Sequence, residues 1–245
     1  MKEVKWGVLG TAGIARGCTI PGMKEADNCH LTAIAGRDLN KAMAFKDEFG
    51  FEKAYGDYES LLADSEIEAV YIPLPNELHY EWVMKAIEAG KHVLCEKPLA
   101  PTAKEVSELF DAAAKKGIVL MEAFAYLHSP YIAALKEEVK NKTFGDVCYV
   151  EAAFLTSGYN LSNIRTKKEC YGGATYDLGC YCTSMILSIL DKEPVSVSGV
   201  AEYSAEGVDV LTTAIMNFGE GVRASLTCGM NFEKEMNRRM DRLYI

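Results

Sequence analysis

Six short apolar runs alternate with segments of helical spacing through the first half of the chain, an order that few folds satisfy. The runs cover residues 4–9, 31–35, 54–55, 69–74, 92–95 and 118–121. Between them, helical patterns end near Glu25 and then cover residues 39–49, 58–63, 77–89 and 102–116. Gly90 and Gly117 stand where a helix needs a residue that accepts a left-handed conformation to stop. Strands and helices that take turns are joined by crossovers, so the strands pair in parallel, with helices on both faces of the sheet. The prediction is an α/β, doubly wound Rossmann domain over residues 1–123.

The pattern changes after Phe124. A helix at 130–140 and a longer strand at 147–155 precede a polar loop at 159–171 and an apolar helix at 176–190. Strands at 195–203, 208–218 and 222–228 then follow closely, turning at Glu206-Gly207 and Gly219-Glu220-Gly221. This half reads as an α+β domain over 124–245 with a mostly antiparallel open sheet. Residues 240–245 resemble the start of another strand, and a domain seldom stops in mid-strand. The chain is therefore expected to be a truncated form, incomplete at its C-terminus.

A net charge of −9 argues against a nucleic-acid partner, because phosphate binding needs a basic face. No run approaches the roughly 18 apolar residues of a membrane helix. Cys18, Cys29, Cys95, Cys148, Cys170, Cys180, Cys182 and Cys228 include no CxxC pair and none in metal-ligand spacing with a histidine. They read as buried thiols of a reducing compartment, so a cytoplasmic location and no metal are expected.

Candidate functional residues fall where strands end. Gly10-Thr11-Ala12-Gly13-Ile14-Ala15 joins the first strand to the first helix, the place of a dinucleotide fingerprint. Gly10 permits the tight turn, and Ala12 and Ala15 take the other two glycine positions. A pyrophosphate would rest on the unpaired N–H groups of the helix N-terminus. The second strand ends Gly36-Arg37-Asp38. A guanidinium there suits a 2′-phosphate, which favours NADP. The alternative is that Asp38 turns back to the ribose, which suits NAD. Pro73-Leu74-Pro75-Asn76-Glu77-Leu78-His79 follows the fourth strand, with Asn76 a good N-cap for a helix beginning at Glu77. Asn76 and His79 read either as capping and surface positions or as cofactor contacts.

The run His92-Val93-Leu94-Cys95 ends in Glu96-Lys97-Pro98. Proline cannot continue a ladder, so Lys97 is delivered at the strand's carboxyl end, where ligands bind in open α/β sheets. In the second half, Gly172-Gly173 precedes Asp177 and Tyr181, two polar residues four apart at the start of an otherwise apolar helix. Each alone reads as a dipole charge or a rim aromatic; the set together points to a site.

These pieces resemble the Gfo/Idh/MocA family of nicotinamide-dependent oxidoreductases. The resemblance rests on the first-strand fingerprint, Pro75-Asn76 with His79, Glu96-Lys97-Pro98, Met121-Glu122-Ala123-Phe124, and Gly172-Gly173 through Asp177 to Tyr181. Tyr181, where many members have histidine, and the Asn163-Ile164-Arg165 triplet resemble the branch of dihydrodiol dehydrogenases and NADP-dependent D-xylose dehydrogenases. Ala12 departs from the fingerprint glycine, and Leu127 stands where many members carry arginine. The family implies a C-terminal sheet that often forms a dimer interface, so a homodimer or higher homo-oligomer is expected.

The resemblance implies hydride transfer between NADP (alternatively NAD) and a carbinol carbon of a sugar, polyol or cyclic diol. The implied cofactor contacts are Gly10, Thr11, Ala12, Gly13, Ile14, Arg37, Pro73, Asn76, His79, Glu96 and Lys97. The implied substrate contacts are Lys97, Tyr126, Asn163, Arg165, Asp177 and Tyr181. Tyr181 would exchange the hydroxyl proton, with a Lys97 ammonium within hydrogen-bonding reach of it or of Asp177, directly or through one water. The rival readings are a cofactor-binding sensor without turnover, an inactive fragment of such an enzyme, or a structural partner subunit.

Overall fold

A computed structural model describes residues 2–157, 159–231 and 239–245, and the chain divides into two units, Met1–Ala123 and Phe124–Ile245. The first carries β1 (Val4–Leu9), β2 (Cys29–Ala35), β3 (Lys53–Tyr55), β4 (Ala69–Ile72), β5 (His92–Cys95) and β6 (Leu120–Glu122). They form one sheet in the order β3-β2-β1-β4-β5-β6, and every pairing is parallel. The connecting helices are α1 (Ile20–Glu25), α2 (Leu39–Phe49), α3 (Tyr58–Ala63), α4 (Asn76–Glu88) and α5 (Ala103–Lys116).

The sheet is covered on both faces, which is why β4 reads Ala-Val-Tyr-Ile with all four residues buried. One core gathers Leu9, Ile72, Val83 and Leu109; another gathers Val8, Ile20, Ile34 and Tyr71. Each such large apolar side chain contributes about 1.5–3 kcal/mol by leaving water. Of the predicted caps, Gly117 ends α5 at φ 68°, and Gly90 stands at φ 75° one residue past Ala89, the C-cap residue of α4; Gly50 ends α2 in the same way at φ 82°. The strand expected to reach residue 74 stops at Ile72 because Pro73 has no N–H for the ladder. Strand order reverses between β1 and β4, which places a crevice at the carboxyl ends of those strands.

The second unit holds α6 (Pro130–Lys140), β7 (Tyr149–Thr156), α7 (Cys180–Leu190), β8 (Ser196–Tyr203), β9 (Asp209–Gly219), β10 (Val222–Gly229) and β11 (Arg239–Tyr244). Its sheet runs β11-β7-β10-β9-β8 and is mixed: β7 and β10 are parallel, the other pairs antiparallel. Ile186 and Ile189 of α7 pack against Val150, Ala152, Ala224 and Leu226, covering one face. Strand β8 is exposed along its whole length. The loop expected at 159–171 contains two 3-10 turns, Ile164–Thr166 and Lys168–Cys170.

Candidate active site

The nucleotide edge of the first unit is built mainly from backbone. Gly10 sits at φ 115°, and a Cβ there would stand 2.9 Å from Leu74 Cδ2, so only glycine makes this turn. The helix that follows covers residues 13–25 and contains a π-turn at Ala15–Thr19. Gly13 opens it, exposed, and a Cβ added there meets no atom within 4 Å. That leaves space against the unpaired N–H groups of the first helical turn, the fit a pyrophosphate requires. At the end of β2, Asp38 Oδ1 accepts the N–H of Asn40 at 3.0 Å and of Lys41 at 3.3 Å, capping α2. Arg37 is exposed and donates to the hydroxyl of Tyr58, which lies 4.0 Å from where a Gly10 Cβ would be. Burial raises the Tyr58 pKa, and the Arg37 charge works against that rise.

Buried side chains organise the ends of β4 and β5. Tyr71 is fully buried; it donates to Glu96 Oε1 at 2.6 Å and accepts from Thr19 Oγ1 at 2.9 Å. The π-turn thus brings Thr19 into a chain that ties the first helix to the residue before Lys97. Burial first, and then Glu96, drive the Tyr71 pKa far above the phenol value, so this hydroxyl stays a donor. His79 is also fully buried, with Nδ1 2.7 Å from the Pro98 carbonyl and Nε2 2.7 Å from the Leu74 carbonyl. Burial lowers its pKa against the two carbonyls, which favour the charged ring. The imidazole stands between the loop after β4 and the turn after β5, donating to one of the two carbonyls when neutral and to both when charged. The Lys97–Pro98 peptide is cis. Leu99 N–H donates to Glu122 Oε1 at 2.9 Å. Burial raises the Glu122 pKa, while that N–H and the Lys97 ammonium hold it back.

The second unit is assembled from side chains distant in sequence. Residues 174–190 form one helical run with a π-turn at Thr175–Gly179 that carries Asp177. Its start is anchored by Asp209, whose Oδ2 accepts Thr175 N–H at 2.9 Å, Thr175 Oγ1 at 2.7 Å and Thr212 Oγ1 at 2.7 Å. Gly172 and Gly173 leave no room for any side chain: a Cβ on the first would overlap the Arg165 carbonyl, on the second the Asp209 carboxylate. Arg165 Nε donates to Asp177 Oδ2 at 2.8 Å. Asn163 caps the 3-10 turn through Arg165 N–H at 3.0 Å. The Tyr181 ring packs edge-on to Phe124 at 5.3 Å, with Phe154 at 5.6 Å and Tyr126 at 6.3 Å. Arg239, paired with Asp241 and stacked 4.6 Å over Phe154, places a positive charge near Tyr181.

Both halves match family models: the oxidoreductase family with an NAD-binding Rossmann fold over residues 4–124, and the GFO/IDH/MocA C-terminal domain over 132–242. The chain belongs to the Gfo/Idh/MocA oxidoreductase family. It is 38% identical over 222 residues to an NADP⁺-dependent D-xylose 1-dehydrogenase of Haloferax volcanii, covering 89% of this chain and 67% of that one. It is 34% identical over 232 residues to trans-1,2-dihydrobenzene-1,2-diol dehydrogenase of Mus musculus, covering 93% and 69%. Among solved structures, a 3-ketoreductase of Actinomadura kijaniata in complex with NADP and TDP-benzene superposes with a TM-score of 0.88 at 33% identity, covering 94% of this chain and 71% of that one.

Within this Gfo/Idh/MocA chain several predicted contacts take other roles. Asn76 is not the N-cap of α4; Pro75 is, and its carbonyl accepts Leu78 N–H at 2.9 Å, so Asn76 becomes the first helical residue. His79 is neither a surface residue nor open to a cofactor, since it has no exposed surface and both ring nitrogens face carbonyls. Pro73 is buried and offers only a carbonyl. The Tyr126 hydroxyl donates to Ser184 Oγ at 2.7 Å, which directs it to α7. Glu96 is partly engaged by Tyr71. The cysteines are not uniformly buried: Cys95, Cys182 and Cys228 are, with burial pushing the last two thiols up to about 12, whereas Cys18 and Cys148 are exposed. Asp209, Tyr71 and Arg239 had no role in the sequence reading, and Glu122 entered it only within the Met121–Phe124 motif. Among the described residues no cluster suits a metal ion, and no helix is long and apolar enough to cross a membrane.

Proposed function

We propose that the protein is an NADP-preferring oxidoreductase that interconverts a carbinol and a carbonyl in a small sugar, polyol or cyclic diol. The observation that carries this reading is the placement of Lys97 just past the carboxyl end of β5, on the sheet edge that also bears the Gly10 turn and the open first helical turn at Gly13. The preference for NADP follows from the end of β2, where Asp38 is engaged in capping and Arg37 stands exposed beside the Gly10 turn. The relatives support the substrate class: their names assign NADP⁺-dependent D-xylose oxidation and dihydrodiol oxidation to proteins alike over two thirds of their length.

In this reading the cofactor, bound by Gly10, Thr11, Ala12, Gly13, Ile14 and Arg37, supplies or accepts the hydride. Tyr181 takes the substrate hydroxyl proton on oxidation and returns it on reduction. Lys97 favours the phenolate by its charge and holds the substrate oxygen. Asp177, oriented by Arg165, accepts a second substrate hydroxyl, and Asn163 fixes the loop that presents Arg165. The exposed β8, with Val197 and Val200 on its surface, supports a homodimer or higher homo-oligomer, and the exposed thiols of Cys18 and Cys148 suit a reducing cytoplasm.

Mixing the protein with NADP⁺ and a panel of aldoses and diols, and following NADPH absorbance, tests the reading. Turnover of at least one carbinol is expected, with Tyr181→Phe and Lys97→Met each lowering it about 10²-fold or more while NADPH still binds. Near-wild-type turnover in both variants would remove these roles.

A further inference from the structure

The turn that carries Lys97 is held at both polar groups of one peptide unit, Pro98–Leu99, by side chains withdrawn from solvent. The Pro98 carbonyl meets His79 Nδ1 at 2.7 Å, and the Leu99 N–H meets Glu122 Oε1 at 2.9 Å. Glu122 is well placed for this because β6 pairs with β5 in a register that sets Glu122 opposite Cys95, and Ala123 N–H donates to the Cys95 carbonyl at 2.8 Å. The end of β5 and the end of β6 are thus locked before the side chains meet. Both Lys97 and Leu99 peptide neighbours would otherwise belong to a loop with no ladder to hold it.

We infer that Glu122 is a positioning residue for Lys97: its half-buried side chain fixes the Lys97-Pro98-Leu99 turn through the Leu99 N–H. The inference rests on the proposed role of Lys97 at the cofactor edge. Withdrawing a carboxyl group from solvent is costly unless a hydrogen bond compensates, and the Leu99 N–H supplies one. A leucine in this place would fill the space and leave the Leu99 N–H without its acceptor.

The test reads the position of Lys97 without needing a substrate. The intact protein is acetylated with a limiting amine reagent, with and without NADPH, and Lys97 labelling is read by peptide mass spectrometry alongside NADPH affinity. NADPH should protect Lys97 in the wild type. Glu122→Gln, whose side-chain carbonyl still accepts the Leu99 N–H, should keep protection within about twofold, while Glu122→Leu should lose it by about tenfold or more. If Glu122→Leu does not fold, Glu122→Asp, one methylene too short to reach Leu99, is expected to show the same loss. Wild-type protection in the Leu or Asp variant overturns the inference alone, and so does a loss in Glu122→Gln equal to that in Glu122→Leu. No protection in the wild type overturns the reading of Lys97 and the inference with it.

Discussion

Glycines serve opposite purposes in the two units. In the first, Gly13 faces open space on the first helical turn; in the second, Gly172 and Gly173 are packed against the Arg165 backbone and the Asp209 carboxylate. The first glycine leaves room for something outside the protein, whereas the second pair leaves room for the protein itself. Gly173→Ala should therefore destabilise by about 3 kcal/mol or more, because it adds a clash to a φ of 117° that a side chain resists. Gly13→Ala should stay within about 0.5 kcal/mol of wild type in thermal melts while weakening NADPH about tenfold. Equal stability loss in the two variants would erase the contrast.

Capping repeats the difference on a smaller scale. In the second unit the start of the helix bearing Asp177 is capped by Asp209, 34 residues further along the chain. In the first, α2 is capped by Asp38, immediately before it. Asp209→Ala leaves Thr175 N–H and two hydroxyls without their acceptor and should cost about 2 kcal/mol. Asp38→Ala should cost about 1 kcal/mol. Denaturant unfolding measures both, and a larger loss at Asp38 would contradict the order.

That contrast also explains what the sequence made legible. Periodicity along one segment reveals its buried face, so the strands and crossover helices of the first unit, the Gly10 turn and the exit of Lys97 from β5 could be read directly. Asp209 could not, because its role depends on β9 bringing it beside Thr175. Glu122 was visible within a motif but not its partner, since Leu99 N–H reaches it through the β5–β6 register. Asn76 suggested a cap by residue type, but Pro75, fixed in an extended backbone, supplied it. The parallel β7–β10 pair was hidden for the same reason as Asp209: strand direction across a sheet is a tertiary property. The π-turns add a residue to a helical turn and shift the phase of the apolar pattern after it, which a period of 3.6 does not anticipate.

Arg37 offers a sharper probe of the first unit, because its contribution is to a ligand and not to a core. With Asp38 Oδ1 engaged by α2, the guanidinium is the charge at the end of β2 suited to a 2′-phosphate. Arg37→Ala should weaken NADPH about tenfold and NADH little, a difference of about 1.4 kcal/mol. Equal losses for the two cofactors, measured by fluorescence titration, would transfer the preference elsewhere.

The smallest expected effect is a pH slope that belongs to the first unit. His79 is fully buried there, whereas the second unit's His128 is exposed. The folded-state pKa of His79 lies below the ordinary histidine value because burial disfavours the imidazolium. The unfolded chain then binds more protons than the folded one as pH falls past the ordinary value of about 6.5. His79 thus contributes stability that is fully present above that pH and is lost as pH falls through the folded pKa, with a slope of at most about 1.4 kcal/mol per pH unit for one proton. Glu122 at the same turn acts with the opposite sign: burial raises its pKa, so its contribution is present below the ordinary glutamate value and is lost as pH rises through the folded one. Thermal midpoints between pH 5 and pH 8 separate the two. Wild type should lose stability on the acid side, and His79→Gln, less stable throughout, should show a flatter acid limb. The same acid slope in both proteins would place the titrating group elsewhere and leave His79 with only its link between Leu74 and Pro98.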